Sequence, residues 1–392
     1  MKKTVIAVLV AVVALSAFAV SGCGGEKYIT TGKIGVVKDE EFNNVYIELS
    51  IDGFNALGFE FGDSVDIFFD NGKSYKDVPY YSGYYVPVGE LLACGYPGYP
   101  HVVIARNYGK STWEEFGMTE TSEVEIILNR KGKYLAREEL YQLNYSDDRT
   151  KFESDIMFAN FRAVRGGNLR ENYFYRSASP CDNQHQRAAY ANALAEDKGI
   201  RFVLNLSDNR DKYDSYTQKD DFQSEYYNTL VESGNVLLLA LNANYRPDEF
   251  KNKFTNAFFR SNQFVDKLSL AFYEMAERAD GACLIHCVEG KDRTGFACSL
   301  LLALAGASAQ EIVDDYMITY YNYYGITPEG MPEKYRAIKE NVDDFLYCLC
   351  DAVKGTDING LDLIRGARSY LKKGGLSDTQ VEEIENYITA AE

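Results

Sequence analysis

Basic residues are scarce in this chain of 392 residues: 41 Lys and Arg stand against 58 Asp and Glu, and the formal net charge is −17. A general nucleic-acid binder needs a basic face, so the charge excludes that class. An anionic ligand must instead be bound by a local cluster of donors, because the field of the whole protein repels it. The composition, 46% hydrophobic and 25% charged, is that of a folded globular protein.

Metal-ligand patterns are also lacking. Histidine occurs only at His101, His185 and His286, and the eight cysteines include no Cys-x-x-Cys pair. A structural zinc site is therefore not expected. The cysteines are scattered without the spacing of a disulfide framework, and whether any of them pair is left open.

Charge is absent from residues 4–22, a run of 19 residues that follows two lysines. The run ends in Val20-Ser21-Gly22-Cys23, which resembles the lipobox of bacterial lipoproteins. We expect residues 1–22 to be a lipoprotein signal peptide and Cys23 to carry the lipid. The protein would then be exported and anchored to the outer face of a bacterial cell membrane. The alternative is an uncleaved signal anchor.

Residues 23–152 are predicted to form a β-rich accessory domain. Short runs of alternating or β-branched residues are separated there by turn signals such as Asp70-Asn71-Gly72. This pattern is typical of a small barrel or sandwich. No catalytic constellation is visible in this part.

In residues 153–392 the pattern changes to strands that alternate with helices. Continuous apolar runs at 202–206, 236–241 and 281–286 are typical of strands buried on both faces of a mostly parallel sheet. After residue 294 the pattern is helical. The predicted fold class is therefore α/β, a mostly parallel sheet flanked by helices, preceded by the β-rich barrel or sandwich.

The segment from His286 to Gly295 carries the chemistry. It reads His-Cys-Val-Glu-Gly-Lys-Asp-Arg-Thr-Gly and lies between a predicted buried strand and a predicted helix. A loop in that position directs several backbone N–H groups at one point. The helix dipole adds attraction for an anion. The sequence therefore predicts a phosphate-binding cradle.

Cys287 is the expected nucleophile, because donors that bind phosphate also stabilise a thiolate. Arg293 can clamp two phosphate oxygens with its planar guanidinium. The hydroxyl of Thr294 can donate to the sulfur, and glycines allow close approach of the backbone. The expected substrate-binding positions are Val288, Glu289, Gly290, Lys291, Thr294 and Gly295.

The Cys-x5-Arg spacing alone is weak, because Cys181 and Arg187 match it as well. That second copy has no apolar strand before it, no glycine inside it, and Ala188 after the arginine. We interpret it as a surface loop that runs into a helix. A Walker loop is excluded at the Cys287 copy, because Asp292 follows the lysine where a Walker loop requires Ser or Thr.

The motif His-Cys-x5-Arg-Thr-Gly resembles the protein tyrosine phosphatase superfamily, and its inner Gly-Lys-Asp-Arg-Thr is similar to the bacterial tyrosine/lipid phosphatases. The resemblance extends to residues 159–162, 175–178 and 312–319, and covers roughly residues 153–392. It implies a tyrosine-phosphatase-like fold for that part and chemistry that requires no metal or organic cofactor.

For the site, the resemblance implies that Cys287 is the nucleophile and Arg293 the phosphate clamp. In the family, residues at the positions of Lys291 and Asp292 are associated with activity on phosphoinositides as well as phosphotyrosine.

A general acid must protonate the leaving group. Asp248 is the first candidate, because it follows the predicted strand 236–241 and lies 39 residues before Cys287. Its alternative role is the N-cap of a helix. Asp292, inside the loop, is the second candidate, and Asp208, at the end of another strand, is the third. His286 is expected to orient the loop rather than to transfer a proton.

The favoured function is a cysteine-dependent phosphatase that hydrolyses phosphomonoesters through a phospho-cysteine. The substrate can be phosphotyrosine, a phosphoinositide or a soluble inositol phosphate, and the expected partners are that substrate and the membrane. Two alternatives stay open: an exported phosphate-recognising binding module and a sulfur transferase.

Overall fold

The computed structural model describes residues 28–87, 89–107, 109–241 and 257–389. The predicted signal peptide, Cys23 and Asp248 lie outside the described residues.

The N-terminal part is a closed barrel of seven strands in the order β1-β2-β6-β5-β4-β3-β7. The strands are β1 (Thr30–Lys38), β2 (Val45–Ile47), β3 (Ser64–Phe69), β4 (Ser74–Tyr81), β5 (Leu91–Cys94), β6 (Val103–Arg106) and β7 (Glu123–Arg130). Neighbours are antiparallel except for β4 and β5, which are parallel. Of the two predicted β architectures, the barrel is therefore the one present.

Three short helices accompany the barrel: α1 (Ile51–Ala56), α2 (Thr112–Phe116) and α3 (Leu135–Tyr141). The first two bury Phe54 and Phe116 in the barrel core. The predicted turn at residues 70–72 joins β3 to β4, with Gly72 at φ +85°, a conformation that favours glycine. The third helix follows β7 and leads toward the C-terminal part.

The C-terminal part contains a five-stranded sheet in the order β11-β10-β12-β9-β8. Its strands are β8 (Arg162–Ala163), β9 (Phe174–Ser177), β10 (Ile200–Asn205), β11 (Val236–Leu238) and β12 (Ala282–His286). All neighbours are parallel except β8 and β9. The predicted mostly parallel sheet is thus confirmed.

Helices cover both faces of this sheet. They are α4 (Asp155–Phe158), α5 (Ala188–Asp197), α6 (Arg210–Thr217), α7 (Glu225–Glu232), α8 (Asn262–Arg278), α9 (Asp292–Leu304), α10 (Ala309–Tyr324), α11 (Pro332–Cys350), α12 (Leu363–Lys373) and α13 (Asp378–Thr389). Along β10, Phe202 and Leu204 enter one core while Val203 enters the other, which explains the continuous apolar run. Among the described residues, no helix is both long and apolar enough to span a membrane.

Three loops begin side by side at the carboxyl edge of this sheet. The register pairs Asn205 of β10 with His286 of β12, and His286 with Ser177 of β9. The segments after these strands therefore start at one place, as expected for ligand sites in open parallel sheets.

The segment that joins the two parts is held around Arg187, which is 2% exposed. Its guanidinium donates to Asp147 Oδ1 at 2.7 Å and to the Ser146 carbonyl at 2.8 Å. It also lies 4.7 Å from the ring of Tyr145 and 4.5 Å from that of Phe158. A cation so far from water is kept only with such partners, so the joining segment is fixed to the α/β part.

Candidate active site

The Cys287 loop, residues 287–291, connects the end of β12 to the start of α9. Cys287 is 3% exposed, and the helix that begins at Asp292 directs its N-terminus at the loop. Helix start and loop together supply the donors that an anion needs. Arg293 lies in the first turn of α9, six residues after the cysteine.

Three successive carbonyls of the Cys287 loop are held from outside. Val288 O accepts from Ser179 N at 2.9 Å, Glu289 O from Tyr323 Oη at 2.6 Å, and Gly290 O from Arg176 Nη2 at 2.8 Å. In a trans peptide the N–H points opposite to the C=O. The amides of residues 289–291 therefore point away from these partners and into the loop. This orientation makes the loop a cradle for an anion.

A buried polar layer supports the cradle from below. Arg176 is fully buried and forms an ion pair with Asp315, while Asn160 Nδ2 donates to Gly290 O at 3.2 Å. Burial alone lowers the pKa of Arg176, but Asp315 outweighs it and raises that pKa above its ordinary value. The guanidinium thus stays charged. Sequence reasoning quoted these segments only for the resemblance and gave none of the three residues a role.

Gly290 is required by the geometry of the loop. Its φ is +67°, and a Cβ built on it would lie 2.2 Å from the Ser177 carbonyl oxygen. A side chain would therefore push the loop away from β9. Gly295 is also tightly packed, since a Cβ built on it would lie 2.7 Å from the ring of Tyr316.

The charged side chains of the loop are engaged with one another and with the joining segment. Lys291 Nζ lies 2.8 Å from Glu289 Oε2, and Tyr145 Oη donates to Glu289 Oε1 at 2.8 Å. Burial alone raises the pKa of Glu289, yet Lys291 and Tyr145 outweigh it and hold that pKa below its ordinary value. Tyr145 belongs to no recognisable motif, so the sequence analysis assigned it no role.

Two further groups lie in the first turn of α9. The Asp292 side chain is 56% exposed, and Tyr316 Oη donates to its Oδ1 at 3.1 Å. The Thr294 hydroxyl is buried and has no hydrogen-bond partner among the described residues. A buried hydroxyl without a partner needs an explanation, and an oxygen of a phosphate bound in the cradle would supply one.

Comparison with known proteins decides the family. A family description, the Tyrosine phosphatase family, matches residues 158–390, more than half of the chain.

The chain belongs to the tyrosine phosphatase family. A curated relative, a tyrosine-protein phosphatase of Nostoc commune, is 49% identical over 51 residues, which are 13% of this chain and 17% of the relative's length. Two solved structures are also similar. The core catalytic domain of the PP-IP phosphatase SIW14 from S. cerevisiae is 21% identical, over 49% of this chain and 91% of that one, at a TM-score of 0.26. An uncharacterized conserved protein from Thermotoga maritima is 26% identical, over 24% of this chain and 35% of that one, at a TM-score of 0.22.

In this tyrosine phosphatase family member, His286 lies behind the cysteine. Its Nδ1 lies 3.2 Å from Cys287 O, and Tyr227 Oη lies 2.9 Å from its Nε2. A carbonyl only accepts, so Nδ1 carries the proton and Nε2 accepts from the tyrosine. Burial lowers the pKa of His286 to about 4. The residue is therefore neutral and orients the loop.

The second Cys-x5-Arg copy is a loop that runs into α5, as predicted, and Gln184 and Gln186 are exposed, but its cysteine and its arginine are buried and not at the surface. Cys181 is 2% exposed, with its Sγ 3.4 Å from Ser179 Oγ and 3.9 Å from Asp208 Oδ2. Burial raises its pKa well above the ordinary thiol value. The loop packs against the sheet edge because β9 and β12 are neighbours. Its acidic, buried surroundings are unlike the cradle at Cys287.

The acid candidates differ in their surroundings. Asp208 is completely buried and accepts from Lys212 at 2.8 Å and from Asn205 at 2.9 Å. Burial raises its pKa, but these two partners outweigh that effect and lower it. An ionised, fully bonded carboxylate is a poor proton donor, so the geometry makes Asp208 a structural residue. Asp248 lies outside the described residues, and Asp292 is exposed at the loop.

Replacing Gly290 with alanine should destroy the cradle, because the new Cβ meets the Ser177 carbonyl. We expect affinity for vanadate, a phosphate analogue, to fall by about 10²-fold or more, measured by calorimetry. The matched control is Gly98→Ala, since Gly98 also has a positive φ, +93°, but open space around it. Unchanged vanadate affinity in Gly290→Ala would show that the close approach is not needed.

His286 should make folding stability sensitive to acid. Between pH 6.5 and about 4 the unfolded chain takes up a proton on this histidine that the folded chain does not, so stability falls as the pH falls. We expect a contribution of about 3 kcal/mol to the unfolding free energy, measured with denaturant at pH 7 and pH 4. His286→Asn should lose that part of the pH dependence. Equal pH dependence in both proteins would contradict the assignment.

Proposed function

We propose that this chain is a cysteine-dependent phosphatase that hydrolyses phosphomonoesters through a phospho-cysteine intermediate. The observation that carries the proposal is the orientation of the Cys287 loop, whose carbonyls are held outward so that its amides face inward. The unpartnered hydroxyl of Thr294 and the nearby Arg293 support the same reading. Membership of the tyrosine phosphatase family agrees with this enzyme class.

In the proposed reaction, the Cys287 thiolate attacks phosphorus and the P–O bond to the leaving group breaks. The loop amides and Arg293 stabilise the charge on the three phosphoryl oxygens. A carboxylic acid donates its proton to the departing oxygen. Water then attacks the phospho-cysteine while the carboxylate takes a proton from that water, and the sulfur leaves as a thiolate that the Thr294 hydroxyl stabilises. Phosphate is released, and the cycle uses only groups of this chain and water.

We propose phosphotyrosine, phosphoinositides or inositol phosphates as substrates. The Nostoc commune relative is named for action on tyrosine phosphate in proteins, and Lys291 and Asp292 occupy the loop positions that family resemblance connects with phosphoinositides. A panel of a phosphotyrosine peptide, phosphoinositide vesicles and inositol hexakisphosphate distinguishes these substrates by kcat/KM.

Cys287→Ser should abolish turnover of an aryl phosphate and leave vanadate or tungstate binding largely intact, because the nucleophile and the cradle are separate groups. Arg293→Lys should also lose turnover, since an ammonium cannot clamp two oxygens. Steady-state kinetics together with calorimetry measure both effects.

The control is Cys181→Ser, which changes the cysteine of the second Cys-x5-Arg copy. A serine hydroxyl suits the polar surroundings of Cys181, so turnover should stay close to that of the unsubstituted protein. Substantial activity in Cys287→Ser would sink the mechanism. Tungstate binding without turnover in the unsubstituted protein would favour the binding-module alternative.

The general acid is expected to be Asp248. Asp248→Asn should lower kcat on alkyl phosphates by about 10²–10⁴-fold and matter far less for an acidic phenol, which leaves without a proton. The basic limb of the pH–rate profile should disappear with it. Asp292→Asn is the matched comparison. If only that variant shows the leaving-group dependence, the acid belongs to the loop and Asp248 is excluded.

We propose that the protein is exported and that a lipid on Cys23 anchors it to the outer face of a bacterial membrane. We also propose that an accessory unit, residues 23–152, precedes a catalytic unit, residues 153–392. Cys23→Ala should release the protein into the soluble fraction or leave an unprocessed precursor. Detergent partitioning detects the release, and the molecular mass of the protein detects the precursor. Unchanged partitioning of a full-length chain would favour an uncleaved signal anchor.

A further inference from the structure

A cavity of about 350 Å³ lies beside the Cys287 loop and is closed on one side by the barrel part of the chain. Lys291 and Asp292 of the loop region line one wall, and Phe345 of α11 lines another. The third wall is the helix α3, through Arg137, Leu140 and Tyr141. The cavity thus shares Lys291 with the Cys287 loop and Asp292 with the first turn of α9.

Helix α3 lies before residue 158, where the family match begins, so this wall comes from outside the matched region. Its position against the α/β part is held by several contacts. Lys334 Nζ of α11 lies 3.0 Å from Glu139 Oε2, and Arg137 forms an ion pair with Glu340. Leu140 packs against the α/β core.

The charges around the cavity indicate what it can hold. Lys291 is paired with Glu289 at 2.8 Å, Arg137 is paired with Glu340, and Asp292 adds an exposed carboxylate. The two cations of the wall are therefore already compensated, which disfavours a second phosphate there. The remaining wall is aromatic and aliphatic. A volume of this size is at the lower end for small-molecule pockets and suits a single ring.

We propose that Leu140 and Tyr141 of α3 are specificity-determining residues, which form the wall of a subsite for an uncharged, ring-containing leaving group. This inference rests on the proposed phosphatase function, because the leaving group is the part of the substrate that extends from the cradle. Tyr141 offers a ring that is 58% exposed and is supported from behind by Tyr85, at 4.1 Å between parallel ring planes. The barrel part thereby selects substrates without touching the phosphate.

The test compares an aryl phosphate with tungstate, which fills only the cradle. Binding is measured by calorimetry in full-length protein with Cys287→Ser, alone and combined with Tyr141→Ala or Leu140→Trp. We expect each added substitution to weaken aryl phosphate binding by about tenfold and to leave tungstate affinity unchanged. The matched control is Tyr96→Ala, since Tyr96 is also exposed and contacts another tyrosine ring, at 5.2 Å, but does not line the cavity.

Thermal unfolding verifies that the variants are folded. Tyr141 is exposed, so its variant decides the question even if the bulkier Leu140→Trp does not fold. Equal loss of aryl phosphate and tungstate binding, or no loss of either, in folded Tyr141→Ala overturns the inference alone, provided that the unsubstituted protein hydrolyses the aryl phosphate. Absence of hydrolysis by the unsubstituted protein overturns the proposed function, and this inference with it.

Discussion

The site depends on one buried cation. Arg176 has no exposed surface, and its guanidinium bridges the carboxylate of Asp315 in α10 and the carbonyl of Gly290 in the Cys287 loop. An isolated charge at this depth would be strongly unfavourable, so the arginine, the carboxylate and the loop must take their places together. Because the carbonyl is held behind the loop, the next amide faces forward. The preference of a buried charge for partners thus fixes the shape of the anion site.

The interior of the α/β part was readable from the sequence. The apolar runs at 202–206 and 281–286 became β10 and β12, since a strand covered on both faces needs no polar alternation. The start of α10 is also set locally, because the Ser308 hydroxyl and Glu311 form a reciprocal capping box. These signals are local, and neighbouring residues are sufficient to produce them.

The features that sequence reasoning missed depend on contacts between distant segments. The strand β9 contains the polar residues Arg176 and Ser177, so it lacks the apolar pattern of a buried strand. Both residues are buried by contacts with residues more than a hundred positions away. The burial of Cys181 and Arg187 in the loop after β9 was missed for the same reason. The choice between barrel and sandwich could not be made either, because it depends on the pairing of β1 with β7 across about ninety residues. Local patterns identify the Cys287 loop, but not the groups that hold it.

The joining segment has a consequence for how such a protein can be divided or recombined. Tyr145 reaches Glu289 in the loop, and Asp147 bonds to the buried Arg187, although both residues precede the family-matched region. A fragment cut at residue 153 would leave Arg187 without the carboxylate that it now contacts. The barrel could be exchanged for another unit only if this short segment stayed with the phosphatase part. A unit that keeps these contacts therefore begins before residue 158, where the family match starts.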